Sequence, residues 1–305
     1  ILGNKFNSSY IGSYVKSQDK RKLRLNSNIQ FNLLPVLLCF SILLANKKSY
    51  HIQEFDNFIY NSLNTSKIAG MGIAILSKDS VLYKKGYGYS DLKEKKRFTT
   101  NTIMNIASIS KTFIGASIMY LVENKQINLD DDINTLLPFH IYNPHSPESI
   151  ITLRALMSHT SGIIDNQEIY LSSYHYGKDS PIKLGYFLKN YLSKNGDFFS
   201  KDNFNSKTIR KEFTYSNIGA GLAAYIVEIV SGKPFNIFTK EIIFDPLGMS
   251  NTFWFLSEMD PTDHAKIYKL DSKKKLLKNI ELYGLTTYPD GGLRTSINDL
   301  VKYFL

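Results

Sequence analysis

The sequence predicts a mixed α/β (α+β) fold in which a short antiparallel hairpin precedes a long, mainly helical stretch. Three observations carry this prediction. "GMGIAIL" and "VLYKKGYGY" flank the polar turn 77–80, and two short apolar runs around such a turn read as a β-hairpin. "NIASISKTFIGASIMYLVE", residues 105–123, carries apolar side chains all the way round, as buried helices do. "NIGAGLAAYIVEIVSGKPF" is a second strong helix, stopped by Gly232 with Pro234 just beyond. A lone hairpin is unstable in water, so either more strands follow Leu305 or the sheet is unusually small.

The remaining elements follow in order. Residues 46–64 place Ile52, Phe55, Phe58, Ile59 and Leu63 at helical spacing. Residues 91–102 read as a charged loop. "LDDDINTLLP" resembles a short capped helix, with Asp130, Asp131 and Asp132 answering the dipole of its start. "ITLRALMSH" is a helix opening at Thr152, and residues 165–212 form a polar surface excursion of low periodicity. "FDPLGMSNTFW" is a turn-rich loop, the six-lysine stretch from Lys266 to Lys278 a solvated loop, and "TSINDLVKYFL" a helix behind a Thr/Ser cap.

The chain has 305 residues, 43% of them hydrophobic, enough for one large domain or two closely packed ones. Of its net charge of +10, residues 1–48 hold +7, which leaves +3 for the body. No basic stripe with interleaved aromatics stands out there, so nucleic acid is not an expected partner. Lys20-Arg21-Lys22 and Arg24 precede the apolar run "FNLLPVLLCFSILLA" at 31–45, which resembles the charged region and core of a secretory signal. It falls short of the roughly 18 apolar residues of a spanning helix, and Asn32 and Pro35 interrupt it. The expectation is an exported protein: periplasmic, secreted, or attached to the membrane through this N-terminal segment. Cys39 is the only cysteine, so disulfides and cysteine catalysis are excluded from the body.

The opening turn of the 105–123 helix holds Lys111, an ammonium among apolar residues. Ser108 lies three residues earlier, on the same helical face, whereas Ser110 points elsewhere. An amine shielded from water can take the proton of a hydroxyl, which is how a serine becomes a nucleophile. The S-x-x-K pattern also occurs elsewhere, Ser13, Ser17, Ser180 and Ser272 among the instances, in polar or charged surroundings. Spacing alone leaves open a lysine that snorkels to the surface from a helix end. The second feature is Tyr215-Ser216-Asn217, the only Y-x-N among 20 tyrosines. A phenolate near an ammonium can act as a general base, and an Asn amide can orient a substrate carbonyl. A core tyrosine whose hydroxyl finds a partner is the structural alternative.

These residues carry a resemblance. "TIMNIASISKTFIGASIMYLVENKQINLDDDINTLLP" is similar to the active-site helix segment of the serine β-lactamase and penicillin-binding protein superfamily, closest to its class C β-lactamase-like branch of esterases and D-aminopeptidases. "ITLRALMSHTSGI", "FTYSNIGAGLAAYIVE", "IFDPLGMSNTFW" and "DGGLRTSINDLVKYF" resemble further blocks of that branch in the same order. The resemblance implies an antiparallel sheet flanked by helices, with an inserted helical domain. With the tail and signal or anchor at 1–48 set apart by its charge and apolar run, residues 49–305 are expected to form a β-lactamase-related domain, the resemblance running from about Ile68 onward. Within that domain, 49–107 begins the sheet, 108–285 is mainly helical, and 286–305 returns to the sheet.

The resemblance further implies that Ser108 is the acylated nucleophile, Lys111 its base partner and Tyr215 a second base that also serves deacylation. Asn217 would contact the substrate amide, and the Ser108 backbone N–H would be one oxyanion donor. The expected activity is that of a serine hydrolase on an ester, amide or β-lactam, with an esterase or D-peptidase ranked above a dedicated β-lactamase. The rival is a non-catalytic penicillin-binding-like or envelope module. A small-molecule or peptide substrate, no cofactor, no metal and a monomeric state are expected. The family's third motif, K-T-G or H-x-G, has no counterpart after Tyr215, and a C-terminally truncated chain is the expectation drawn from that.

Other residues are assigned structural roles. His159 and Ser161 in "MSHTSGI" read as a helix end followed by a turn. There is no G-x-S-x-G, and His140, His145 and His175 lack metal-ligand spacing.

Overall fold

A computed structural model of the protein describes residues 50–205, 212–271 and 276–305. The basic tail, the apolar run at 31–45, Cys39 and the lysines at 273–275 lie outside them. The chain divides into two compact units, residues 1–62 and 63–305. The described part of the first belongs to helix α1 (Tyr50–Ser66), the helix expected over 46–64.

In the second unit the expected hairpin is present: β1 (Gly70–Ser77) pairs antiparallel with β2 (Ser80–Asp91), Ser77 opposite Ser80. The charged stretch after it is not all loop. Asp91 Oδ1 accepts from the N–H groups of Lys93 and Glu94 and turns the chain, so that β3 (Lys96–Arg97) comes back along β2. β4 (Met104–Asn105) follows, then the first core helix, α2 (Lys111–Glu123). This helix starts six residues later than its apolar pattern suggests. Met104 and Asn105 are drawn into sheet pairing and Ala107–Ser110 form a 3₁₀ turn instead.

Helix α3 (Leu153–Met157) opens as expected on Thr152, whose hydroxyl accepts from the N–H of Ala155. The stretch 165–212 departs from expectation. It carries α4 (Gln167–Leu171), β5 (Tyr174–Tyr176) and α5 (Leu184–Leu192), and Leu184, Phe187, Leu188, Tyr191 and Leu192 are all buried. Those five sit at i, i+3, i+4, i+7 and i+8, one amphipathic face within a polar neighbourhood. Helix α6 (Asn217–Ser231) is the centre of the core, with Ile218, Leu222, Ile226 and Val227 fully buried and α2, α3, α5 and α7 (Phe235–Thr239) packed on it. Gly232 ends it at φ +69°, the left-handed cap that a glycine adopts without a Cβ penalty.

The turn-rich loop after α7 leads into β6 (Thr252–Phe253). The lysine-rich stretch is not a loop: β7 (Ile267–Asp271) and β8 (Leu276–Ile280) pair antiparallel along it, since Ile267, Leu270 and Leu277 interrupt the charges. β9 (Tyr283–Leu285) pairs with β5, and β10 (Arg294–Thr295) is the middle strand of an antiparallel sheet with β4 and β6. Among the described residues the strands thus form small antiparallel sheets flanked by helices, a mixed α/β arrangement of the β-lactamase/transpeptidase kind. Helix α8 (Ile297–Phe304) closes the described chain. A Cβ on Gly72 of β1 would lie 2.3 Å from the Ile297 side chain, so the glycine permits their close approach, and Tyr303 stacks on Phe113 of α2 at 3.9 Å. Arg294, 2% exposed, donates to the backbone carbonyls of Trp254, Gly292 and Tyr283, so the buried guanidinium pins β10 to its surroundings.

Candidate active site

The site is built where the 3₁₀ turn, α2, α6 and the loop before β10 converge. Ala107 precedes Ser108 at φ +46°, a region that non-glycine residues rarely occupy and that costs of order 1 kcal/mol or more. Its neighbours hold it there: Asn105 Oδ1 accepts from the Ala107 N–H at 2.8 Å, and Ser110 Oγ donates to the Ala107 carbonyl at 2.5 Å. Ser110, wholly buried, also accepts from the Leu293 N–H at 3.1 Å. Ser110 is therefore a strut, while Ser108 projects from the turn and is solvent-exposed. Because α2 begins only at Lys111, Ser108 stands on the turn ahead of the helix rather than in it.

The structure brings together all four residues singled out in the sequence. Lys111 Nζ lies 3.3 Å from Ser108 Oγ, 2.7 Å from Asn217 Oδ1 and 2.6 Å from the Asp290 carbonyl oxygen. Tyr215 donates its hydroxyl to Ser108 Oγ at 2.7 Å, and the Lys111 nitrogen lies 5.0 Å from the Tyr215 ring centroid. Lys111 is part-buried and does not snorkel away; Tyr215 is 43% exposed, so it is not a core tyrosine.

This arrangement accommodates two protonation states of Lys111. As an ammonium it has three N–H donors and three acceptors facing it. As an amine it has two donors and one lone pair, and the two closest acceptors, on Asn217 and Asp290, take the donors while the lone pair faces Ser108. In both cases Ser108 Oγ and Lys111 Nζ stay within hydrogen-bond distance.

Three residues that sequence reasoning missed complete the site. Asp165 faces the start of α6: Oδ1 accepts from Ser216 Oγ (2.9 Å) and the Ile218 N–H (3.0 Å), and Oδ2 from the Asn217 N–H (2.9 Å) and Asn217 Nδ2 (2.8 Å). Asp290 is fully buried, and burial pushes its carboxyl up to about 7, the nearby Lys111 charge opposing the shift. Tyr170 donates its hydroxyl to Asp290 Oδ1 at 3.0 Å, and burial together with that carboxyl raises its own pKa far above the phenol range. The available signal for Asp290 was an acid inside the otherwise small and apolar "DGGL"; Asp165 and Asn217 are 52 positions apart, and no spacing rule joins them.

His159 ends α3 at φ +55° and its Nδ1 accepts from the Ser216 N–H at 3.2 Å, while its ring packs 4.5 Å from that of Tyr215. Burial, and then the Lys111 charge, lower its pKa, so the neutral ring that this contact requires is favoured. It supports the tyrosine from behind. Among the described residues no group of three or more His, Cys, Asp or Glu side chains could hold a metal ion. Asp130 pairs with Arg154 through two hydrogen bonds, Asp131 accepts from the Asn128 N–H and Asp132 from the Asn134 N–H.

A serine held against a lysine and a tyrosine thus stands where helices meet small antiparallel sheets, the arrangement of the β-lactamase/transpeptidase fold. The chain belongs to the β-lactamase family: the family described as Beta-lactamase matches residues 55–305. Protein flp of Staphylococcus aureus (strain MRSA252) is 28% identical over 249 residues, covering 81% of this chain and 47% of that protein. The octameric penicillin-binding protein homologue from Pyrococcus abyssi superposes with a TM-score of 0.66 at 28% identity, over 83% of this chain and 55% of that one. The D-amino acid amidase from Ochrobactrum anthropi SV3 shares the fold at a TM-score of 0.65 and 24% identity, over 82% and 68%. The chain spans about half the length of the curated relatives it matches.

Proposed function

We propose that this protein is a serine hydrolase that forms an acyl-enzyme on Ser108. The observation that carries the reading is the double contact on one hydroxyl, with Lys111 Nζ and the Tyr215 hydroxyl both within hydrogen-bond distance of Ser108 Oγ. In the acylation step Ser108 Oγ attacks the acyl carbon as its proton passes to Lys111 Nζ. The C–O or C–N bond to the leaving group breaks as the tetrahedral adduct collapses, and the departing group takes a proton from the Lys111–Tyr215 pair. Water then attacks the ester as its proton passes through the Tyr215 hydroxyl to Lys111 Nζ; the bond between Ser108 Oγ and the acyl carbon breaks as the second adduct collapses, and that proton returns to Ser108 Oγ.

The substrate class is an ester or an amide of a D-residue in preference to a β-lactam. The exposure of Ser108 and Tyr215 leaves room for several acyl groups, which supports a general hydrolase over a dedicated β-lactamase. Family membership supports the chemistry, and relatives whose names include penicillin-binding proteins and an amidase mark the range of acyl donors. Incubating the protein with a fluorophosphonate or a fluorescent penicillin and reading intact mass tests the proposal. One adduct on Ser108, absent from Ser108→Ala, is expected. Equal labelling of wild type and Ser108→Ala overturns the nucleophile, and an unlabelled wild type favours a non-catalytic binding module.

A further inference from the structure

We propose that Asp165 is a positioning residue that sets the orientation of the Asn217 amide and, through it, the placement of Lys111 against Ser108. The inference rests on the serine-hydrolase reading and goes beyond it, because Asp165 touches neither Ser108 nor Lys111 in any described hydrogen bond. Both oxygens of Asp165 act as acceptors, and the NH₂ end of Asn217 faces Oδ2 at 2.8 Å. The carbonyl end of the same amide must then point the other way, and it meets Lys111 Nζ at 2.7 Å. Asp165 thereby decides that Lys111 sees an acceptor at this position rather than a second donor.

The other three bonds to Asp165 fix the geometry from which this works. Asn217 and Ile218 are the first two residues of α6, and their N–H groups have no partner within the helix. Asp165 takes both, at 2.9 and 3.0 Å, and also accepts from Ser216 Oγ, which itself caps the Gly219 N–H. The carboxylate is clamped to the helix start, so the amide it holds cannot drift. An asparagine at 165 keeps the shape but presents a carbonyl and an NH₂. The Asn217 amide then gains a second orientation, with NH₂ toward Lys111, donor against donor.

The test is a double-mutant cycle on the rate of Ser108 acylation by the fluorophosphonate, read with the thermal melt of each variant. Asp165→Asn is expected to slow acylation by about 10–100-fold, the scale of a mispositioned reacting group. In an Asn217→Ala background the same substitution is expected to change the rate less than about twofold, because the amide through which it acts is gone. Equal factors in the two backgrounds, or an unchanged rate in Asp165→Asn, overturn the proposal while leaving the nucleophile standing. A wild type that Ser108→Ala matches in labelling defeats the functional reading instead, so the two failures are distinct. Hydrogen exchange of the Asn217 side-chain NH₂ in the unmodified protein keeps the test independent of folding of the variant. Slowed exchange is expected, and exchange at the rate of a free amide overturns the proposal.

Discussion

On one side of Lys111, Ser108 and Tyr215 meet its nitrogen from surfaces that solvent reaches. On the other, it donates to the carbonyl of Asp290, a residue whose own carboxyl is wholly buried and bonded to Tyr170. The open side holds the hydroxyls and the nitrogen that the proposed reaction uses. The closed side holds an acid that burial pushes toward its neutral form, beside a phenol that burial keeps from ionising. The pairing teaches how a lysine is held in place beside a hydroxyl. A fixed backbone carbonyl takes one N–H, the nearest fully buried carboxyl is disfavoured as an anion, and the reactive hydroxyl stays within reach.

The sharpest way to break this contrast is to remove the group at its centre. Lys111→Met keeps the stem and removes every N–H, so acylation of Ser108 is expected to fall on the order of 10⁴-fold, as when a member of a nucleophile–base pair is lost. Stopped-flow or time-resolved mass measurement of the adduct reads it. A Lys111→Met variant that acylates within about tenfold of wild type would remove Lys111 from the reaction and leave the open side without its base.

The closed side makes its own prediction, about stability and pH. Asp290 is an acid whose folded-state pKa is raised from 3.8 to about 7. Below pH 3.8 it is protonated folded and unfolded, and the fold bears no cost. Between 3.8 and about 7 the unfolded chain ionises first, so stability is lost as pH rises; above 7 the loss is constant, at up to about 4 kcal/mol. Asp290→Asn keeps the acceptor for Tyr170 and cannot ionise. It is therefore expected to be more stable than wild type at about pH 8 by as much as that amount, with the advantage shrinking toward about pH 4. Urea midpoints at the two pH values measure it, and an advantage that does not depend on pH would show that the carboxyl ionises as freely in the fold as outside it.

The two sides also differ in how far they were legible in the sequence. The open side was half written in local signals: Ser108 and Lys111 at i and i+3, and Tyr215 with Asn217 at the head of a helix whose Gly232 and Pro234 marked its end. Those signals left a surface lysine and a core tyrosine open as alternatives until the resemblance of the surrounding blocks decided. Turn chemistry and helical spacing act over a few residues, so they survive as patterns. The hairpin at β1 and β2 was legible for the same reason. The closed side depends on Tyr170, Lys111 and Asp290 meeting across 120 and 179 positions, and only the folded chain makes those distances short. Helix α5 was missed for another reason: its apolar face lies within a polar neighbourhood, and composition over a long window masked a periodicity that was present all along.

The smallest expected effect separates support from chemistry within the closed side itself. Tyr170→Phe removes the hydroxyl bonded to Asp290 Oδ1 but keeps the ring, which packs edge-on to Tyr174 at 6.0 Å. The loss leaves one buried acceptor oxygen without that donor, a cost of about 1–2 kcal/mol, largest above about pH 7 where the carboxyl is ionised. Since Lys111 bonds the carbonyl of Asp290 and not its carboxyl, acylation of Ser108 is expected to change less than about threefold, within the spread of substitutions that touch no reacting group. A Tyr170→Phe variant of wild-type stability that acylates about a hundredfold slower would reverse the assignment. The phenol would then belong with Tyr215 among the groups that move protons, and the closed side would be part of the reaction rather than its mounting.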